Sequence, residues 1–399
     1  MIKRMSIIAL LSVTLCMSAG CGAKLNPYNA VHNYQYEYAV QKFRKVANAQ
    51  AKKKKIGRNY SLPFLHLASA SFQGGGYALA EEALSEALPL MERIQEDTSK
   101  NIAAIMGTED NRQYKGDPYE RAMAHFYLGL IRYYHGEYDR ALALFRRSLV
   151  DDMDTNSSQE SDLEDFAIVS LMAAKSYALL DEPDNARVML DKVSSYVTDP
   201  SAFTEFREHF LTDNFTMLIG DGVGPYKTSV GAGRAAIRIM SVPSPVATIQ
   251  IIIDDVDLGN ALLCSNVVDQ ASAHTASGGR RALQAVKGFF NEVGKQTIGA
   301  GLMRSKSDSR SWILLPHELY LFSTSLKPGM YTVSMKCFDS AMKELPRYEQ
   351  RWYYVPVAVD ARDTIMFFQT GLDKCNKYKK IERQRVLTPL QLQDTNTWK

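Results

Sequence analysis

Between positions 33 and 210 apolar residues recur three and four apart, the period of helices that bury one face. Alanine, leucine, tyrosine, glutamate and arginine fill this stretch. From about residue 214 the texture changes. Runs 235–240, 246–253, 319–324, 331–336, 352–359 and 364–368 are rich in β-branched and aromatic residues, as strands are. Pro328-Gly329 ahead of Tyr331 predicts a turn feeding a strand. One helical run interrupts the strands at 280–293, with Ala282, Val286, Phe289 and Phe290 on or near one face. Stretch 214–233 carries five glycines but no Gly-Lys-Ser/Thr, so it reads as an extended crossing between domains, not a phosphate loop. The pattern predicts an α+β multidomain chain. A helical N-terminal part precedes a mainly β, sandwich-like domain (214–375) with a helical insertion, and a polar tail follows at 376–399.

The helical part repeats itself. Segment 122–149 places Leu128 and Gly129 in a first helix, Gly136 at a turn, and Tyr138, Ala141, Phe145 and Ser148 in a second. Gly129 and Ala141 fall where two antiparallel helices approach closely, Gly136 where the chain must reverse. This spacing resembles the tetratricopeptide repeat. The frame fits again at 61–88, with Leu67, Ala68, Gly75, Tyr77, Ala80 and Leu84. It fits a third time at 167–194, with Ala173, Ala174, Tyr177, Ala186 and Leu190 around an Asp181-Glu182-Pro183 turn. A half-repeat is expected at Tyr36, Ala39 and Phe43, and long connections at 92–117 and 151–162. The resemblance implies an α-solenoid over 61–213, preceded by a tether and partial repeat over 21–60. Such stacks offer a concave surface for peptides or partner helices. His125, Tyr127, Arg132, Tyr134 and His135 come from a first helix, the kind that lines the concave side, and are the candidate partner-binding residues. A helix cannot point all five one way, so about half of them are expected in the core.

The N-terminus has its own pattern: basic Lys3 and Arg4, an apolar stretch at 7–13, then Ser18, Ala19 and Gly20 before Cys21. The apolar run is shorter than the roughly 20 residues a spanning helix needs. Small residues ending in cysteine resemble the lipobox of bacterial lipoproteins, which implies a signal peptide at 1–20 and lipidation at Cys21. Gly22 stands where an Asp would favour inner-membrane retention in such proteins. The expected location is therefore the outer membrane, periplasmic face, held by several acyl chains.

Composition narrows the functions. The 399 residues are 46% hydrophobic and 23% charged, which fits a folded protein. Lys and Arg number 47 against 44 Asp and Glu, too balanced to argue for nucleic acid. Cys264, Cys337 and Cys375 have no redox or zinc spacing and read as small buried hydrophobes, allowing one disulfide at most. Seven histidines are scattered without His-x-x-x-His or His-Glu-x-x-His, and no Gly-x-Ser-x-Gly elbow appears. Asp254, Asp255 and Asp257 lack the downstream glutamate of a calcium loop and read as a strand-end turn. Lysines 52–55 read as a solvated helix end. No catalytic residue, metal site or cofactor is expected.

Several short motifs of the C-terminal half resemble one another's counterparts in a single family: Gly222-Val223-Gly224-Pro225-Tyr226-Lys227; Arg280-Arg281-Ala282; Asp308-Ser309-Arg310-Ser311-Trp312 with Leu315-Pro316; and Leu326-Lys327-Pro328-Gly329. That family comprises uncharacterised bacterial envelope lipoproteins with an N-terminal tetratricopeptide-like region, often encoded near lipoproteins similar to activators of penicillin-binding proteins. The resemblance implies an envelope role. Asp308, Arg310 and Trp312 are candidate C-terminal ligand residues, Arg310 for an anion and Trp312 for a sugar face. The competing packing reading makes Trp312 a core anchor and Asp308–Arg310 a local brace, and a lone Trp at a strand start favours it. The expected function is a non-enzymatic adaptor for envelope proteins. Peptidoglycan or glycan binding by the β-domain is the alternative, and a hydrolase with a discontinuous site the third reading.

Overall fold

A computed structural model describes residues 26–53, 56–92, 113–153, 166–197, 199–230, 236–276, 308–359, 362–371 and 385–386. The signal segment, Cys21, Cys375, the 280–293 helix and most of the 376–399 tail lie outside the described residues. The chain is mixed α+β, helical first and sheet-rich afterwards.

Helices α1 (Pro27–His32), α2 (Tyr36–Ala51), α3 (Ser61–Gln73), α4 (Tyr77–Glu92), α5 (Pro118–Tyr134), α6 (Tyr138–Met153), α7 (Ala167–Leu179), α8 (Pro183–Val193) and α9 (Pro200–Phe210) come first. Pairs α3/α4, α5/α6 and α7/α8 are joined by three-residue turns, which fold each pair back on itself. The turns share one device. Gly75, Gly136 and Asp181 take left-handed φ of 82°, 74° and 62°. The next amide then donates five residues back: Gly76 to the Ser71 carbonyl, Glu137 to Arg132 and Glu182 to Tyr177. Each closes its helix end by satisfying an otherwise orphaned carbonyl. Gly129 is a tight contact between partners, since a Cβ there would lie 2.6 Å from the Phe145 ring.

The β part builds two sheets and a ribbon. Strands β1 (Phe215–Asp221), β2 (Val223–Val230), β3 (Ala236–Val242), β4 (Thr248–Ile253), β5 (Val256–Asn260) and β6 (Leu262–Asn266) lead to helix α10 (Val267–Ala276). Then follow β7 (Glu318–Thr324), β8 (Gly329–Phe338), β9 (Gln350–Val357), β10 (Thr364–Gln369) and β11 (Arg385–Val386). One sheet has the order β10-β1-β7-β6, the other β11-β9-β8-β4-β5, and β2 pairs with β3. Strand β1 is central, parallel to β10 and antiparallel to β7.

The four-stranded sheet is buried on both faces. Phe215, Met217, Ile219, Tyr320, Phe322 and Phe368 meet Ile249, Ile251, Val333, Met335 and Trp352 of the five-stranded sheet in one core. Leu218, Leu262, Cys264, Leu319 and Leu321 point the other way and join the core of the helices. The molecule is therefore layered: helices, four-stranded sheet, five-stranded sheet. The glycine-containing stretch corrects the expected crossing between domains. All seven residues of β1 are buried, and Gly222 (φ 66°) turns the chain straight into β2. Cβ atoms at Gly224 would meet the Pro316 carbonyl oxygen at 2.4 Å, so backbone passes backbone there. Part of the expected loose tail, Arg385–Val386, pairs with β9.

The outer sheet carries two local distortions. Asp254 and Asp255 have φ of 48° and 63°, the two-residue reversal that joins β4 to β5. Asp254 Oδ1 accepts from the Thr332 amide at 2.7 Å, Asp255 Oδ1 lies 3.1 Å from Arg351, and Asp257 Oδ2 accepts from Gln250 at 2.6 Å. On β9 a register shift between the Trp352 and Val355 pairings leaves Tyr354 at φ 59° and 63% exposed.

Candidate functional site

The seam between helices and sheet gathers most of the charged side chains that are deeply buried. Its first cluster starts at the N-terminus of α5. Asp117-Pro118-Tyr119-Glu120 puts a capping acid before the helix and a glutamate at its third position, which folds back onto the Asp117 amide at 2.6 Å. That leaves Glu120 Oε1 to accept from Tyr114 Oη and from the Trp312 amide, each at 2.6 Å. Lys227 of β2 adds the countercharge, its Nζ 2.8 Å from Asp117 Oδ2 and 3.9 Å from Glu120 Oε2. Burial pushes the Glu120 carboxyl above its ordinary range, against the downward pull of Lys227. For Lys227 burial acts downward, but Asp117 and Glu120 together outweigh it and raise the ammonium's pKa.

Asp308, Arg310 and Trp312 belong to this cluster. Trp312 is fully buried; its Nε1 donates to Ser69 Oγ of α3 at 2.8 Å and its ring meets Tyr127 edge-on at 5.7 Å. Arg310 forms a fork onto Asp308 at 2.8 and 2.6 Å. It also reaches the Arg58 carbonyl and Asn59 Oδ1 at 2.7 and 2.8 Å, with its guanidinium over the Tyr114 ring. The structure spends these three side chains on joining the β part to the loop before α3 and to α5.

A second cluster lies at the other end of α5. Asp363 Oδ2 accepts from Tyr133 Oη at 2.5 Å and from Thr216 Oγ1 of β1 at 2.8 Å. Fully buried Lys175 of α7 donates to the carbonyls of Phe210 and Asp213. Burial lowers the Lys175 pKa, opposed by Asp363; burial raises that of Asp363, opposed by Lys175. Another buried acid, Asp221, ends β1 and accepts from Thr370 Oγ1. Burial pushes it up to about 6, against the hydrogen bonds from Thr370 and Ser244.

These contacts close the inner side of the helical pairs. Phe72 of α3 and Tyr127 of α5 both pack on Phe367 of β10, with ring centroids 4.6 and 6.0 Å apart. Gln73 of α3 donates to Gln369 at 2.7 Å, and the Ile168 amide of α7 to Ser265 Oγ of β6 at 3.0 Å. All three first helices thus press on the chain's own sheet. Tyr127 is thereby only 1% exposed, and His125, which faces α6, only 4%: the structure puts both in the packed interior, not on an open face. His125 Nδ1 lies 2.7 Å from Asp151 Oδ2 of α6. Arg132 and Tyr134 are half-buried, and His135 is exposed. Arg132 bridges Glu81 of α4 and Glu137, and Tyr134 packs on Tyr77 at 4.6 Å. Among the described residues, Val150 of α6 and Val188 of α8, on the second helices of their pairs, are 51% and 57% exposed.

Sequence reasoning missed Glu120, Lys175 and Asp363, and quoted Lys227 only as the end of the Gly222–Lys227 motif, with no charge role. The Asp-Pro-x-Glu capping signature at 117–120 is the local signal that could have found Glu120. Cys264 and Cys337 are both free and buried, on different sheets and in separate cores. Among the described residues no group of three or more His, Cys, Asp or Glu could hold a metal ion, and no helix is long and apolar enough to cross a membrane. Compared with known proteins, the chain matches no family model and no curated protein.

Proposed function

We propose that the chain is a lipid-anchored adaptor on the periplasmic face of the bacterial outer membrane, docking envelope proteins through the outer side of a tetratricopeptide-like helical stack. The observation that carries this reading is the closed inner side. Helices whose first members are covered by a sheet present a fixed outer surface, a rigid platform with little ordering cost on binding. The tether rests on the basic, apolar and small-residue order that ends at Cys21. Cell-wall synthesis is the first envelope machine to test.

A photo-crosslinking residue at Val150 or Val188 in living cells tests the docking side. The reading expects discrete crosslinked proteins from these sites and none from the same probe at Tyr354 on the outer sheet. Capture from Tyr354 alone contradicts it. Sensitivity of precursor processing to globomycin tests the tether, and an unchanged precursor removes it. The glycan alternative draws on exposed Tyr354 beside Tyr353, whose ring is covered by Arg351 at 5.5 Å, since aromatic faces with polar neighbours suit sugars. Retention on isolated sacculi after high-salt washing, lost in Tyr354→Ala, favours that alternative.

A further inference from the structure

A pocket of about 650 Å³ lies where the first turns of α2 and α4 converge on the end of α3. Its size suits a small ligand, which typically needs about 300–1,000 Å³. Both helices run 16 residues. Gln35 makes no capping hydrogen bond, and Gly76, which precedes α4, has no side chain to make one. Helix α4 also lacks an acid in its first turn, while α2 has Glu37. Ala78 and Leu79, whose amides belong to the donors of the first turn of α4, line the pocket. The positive end of α4 is thus left to whatever enters.

One further feature marks an anion's place: Arg44, half-buried in the wall, brings a guanidinium. Opposite charge stands at exposed Glu37 and Glu82. Tyr34 and Tyr38 add aromatic walls, and the Tyr38 ring already takes an ammonium on one face, from Lys42 at 5.0 Å. A dianion would meet both glutamates; a bare cation would meet Arg44 and the α4 terminus. A molecule with one carboxylate and one amine satisfies both sets. The walls are held in place beforehand. Tyr34 Oη accepts from the Gly371 amide at 2.8 Å, and its ring stacks on Phe368 at 5.8 Å.

We infer that this pocket binds a zwitterionic, amino-acid-like ligand such as a short peptide with free ends. The carboxylate lies toward Arg44 and the first turn of α4, the ammonium toward Glu37 and Glu82. The inference stands on this geometry and needs neither the tether nor the docking side proposed above. Isothermal titration of the full chain with trialanine tests it, alongside the N-acetylated and C-amidated forms and inorganic phosphate. Saturable binding of free trialanine is expected. Amidation, Arg44→Ala and Ala78→Asp each weaken it by at least about tenfold, and N-acetylation or Glu82→Gln by about threefold. Ala78→Asp adds an acid where a helix start favours one, so an unchanged melting curve separates a blocked pocket from a misfolded chain. No saturable binding of free trialanine overturns the inference. So does equal affinity for the amide, indifference to Ala78→Asp, or phosphate binding as tightly as the peptide.

Discussion

Replacing Lys227 by Met tests the seam at its most charged point. The lysine, Asp117 and Glu120 have side chains 6%, 8% and 0% exposed. Solvent therefore screens almost none of what is lost. Methionine matches the stem's volume but takes the ammonium away from two enclosed carboxylates, a change that costs about 3–5 kcal/mol in buried pairs. The loss depends on pH in a defined direction. Burial already raises the Glu120 pKa above 4.5, and Lys227 opposes the rise most, ahead of the hydrogen bonds from Tyr114 and Trp312. Without it the folded-state value climbs further. The stability linked to a raised carboxyl is complete below the ordinary value of 4.5 and is lost as pH rises through the folded value. Lys227→Met is thus expected to be far weaker than the wild type at pH 7.5 and closer to it at pH 5. Adding Asp117→Asn to the variant should recover part of the deficit at pH 7.5. Urea unfolding followed by circular dichroism at the two pH values reads these differences. A deficit under about 1 kcal/mol that does not change with pH would refute the claim that this cluster is enclosed between the layers.

Three other outcomes follow from single sites. Asp221, raised from 3.8 to about 6, makes the wild type lose stability as pH rises through about 6, by up to roughly 3 kcal/mol in all; Asp221→Asn should flatten that slope in urea titrations between pH 4 and 8. Gly129→Ala drives a Cβ to 2.6 Å from the Phe145 ring and should cost about 1–3 kcal/mol. The double variant with Phe145→Leu should cost less than the two single changes combined, a non-additivity that a thermal-melt cycle measures. Arg310→Lys keeps the charge but loses the fork onto Asp308 and the reach to Arg58 and Asn59; about 1–2 kcal/mol should go, with faster proteolysis of the loop before α3.

Much of the helical half was legible because its determinants are local. A glycine at 129, a reversal at 136, an alanine at 141 and an aromatic at 145 are written within one hairpin, and the structure uses each at that place. The outer strands were legible for the same reason: β4 alternates between half-buried and buried residues, as a sheet with one open face requires. Strand β1 was not, because a strand covered on both faces has no alternation to read, and the glycines of the 214–233 stretch suggested a linker. The seam was illegible in a deeper sense. Glu120 meets Trp312 across 192 positions, and Gln73 meets Gln369 across 296. No local period encodes such a pairing. For that reason Tyr127 looked like a groove residue: its ring meets Trp312 and Phe367, which the chain supplies far later, whereas His125 is buried against Asp151 of α6.

The central claim is that this sheet closes the inner side of the helices, and thiol labelling in the folded protein measures it directly. Native Cys264 faces the helices from β6, Ser69→Cys places a thiol of similar size on the inner side of α3, and Val150→Cys places one on the outer side of α6. Maleimide labelling with peptide mapping should modify Val150→Cys promptly. The two inner thiols should react at least about a hundredfold more slowly, at a rate set by opening of the folded state. Labelling of Ser69→Cys and Cys264 at rates comparable to Val150→Cys would contradict the account.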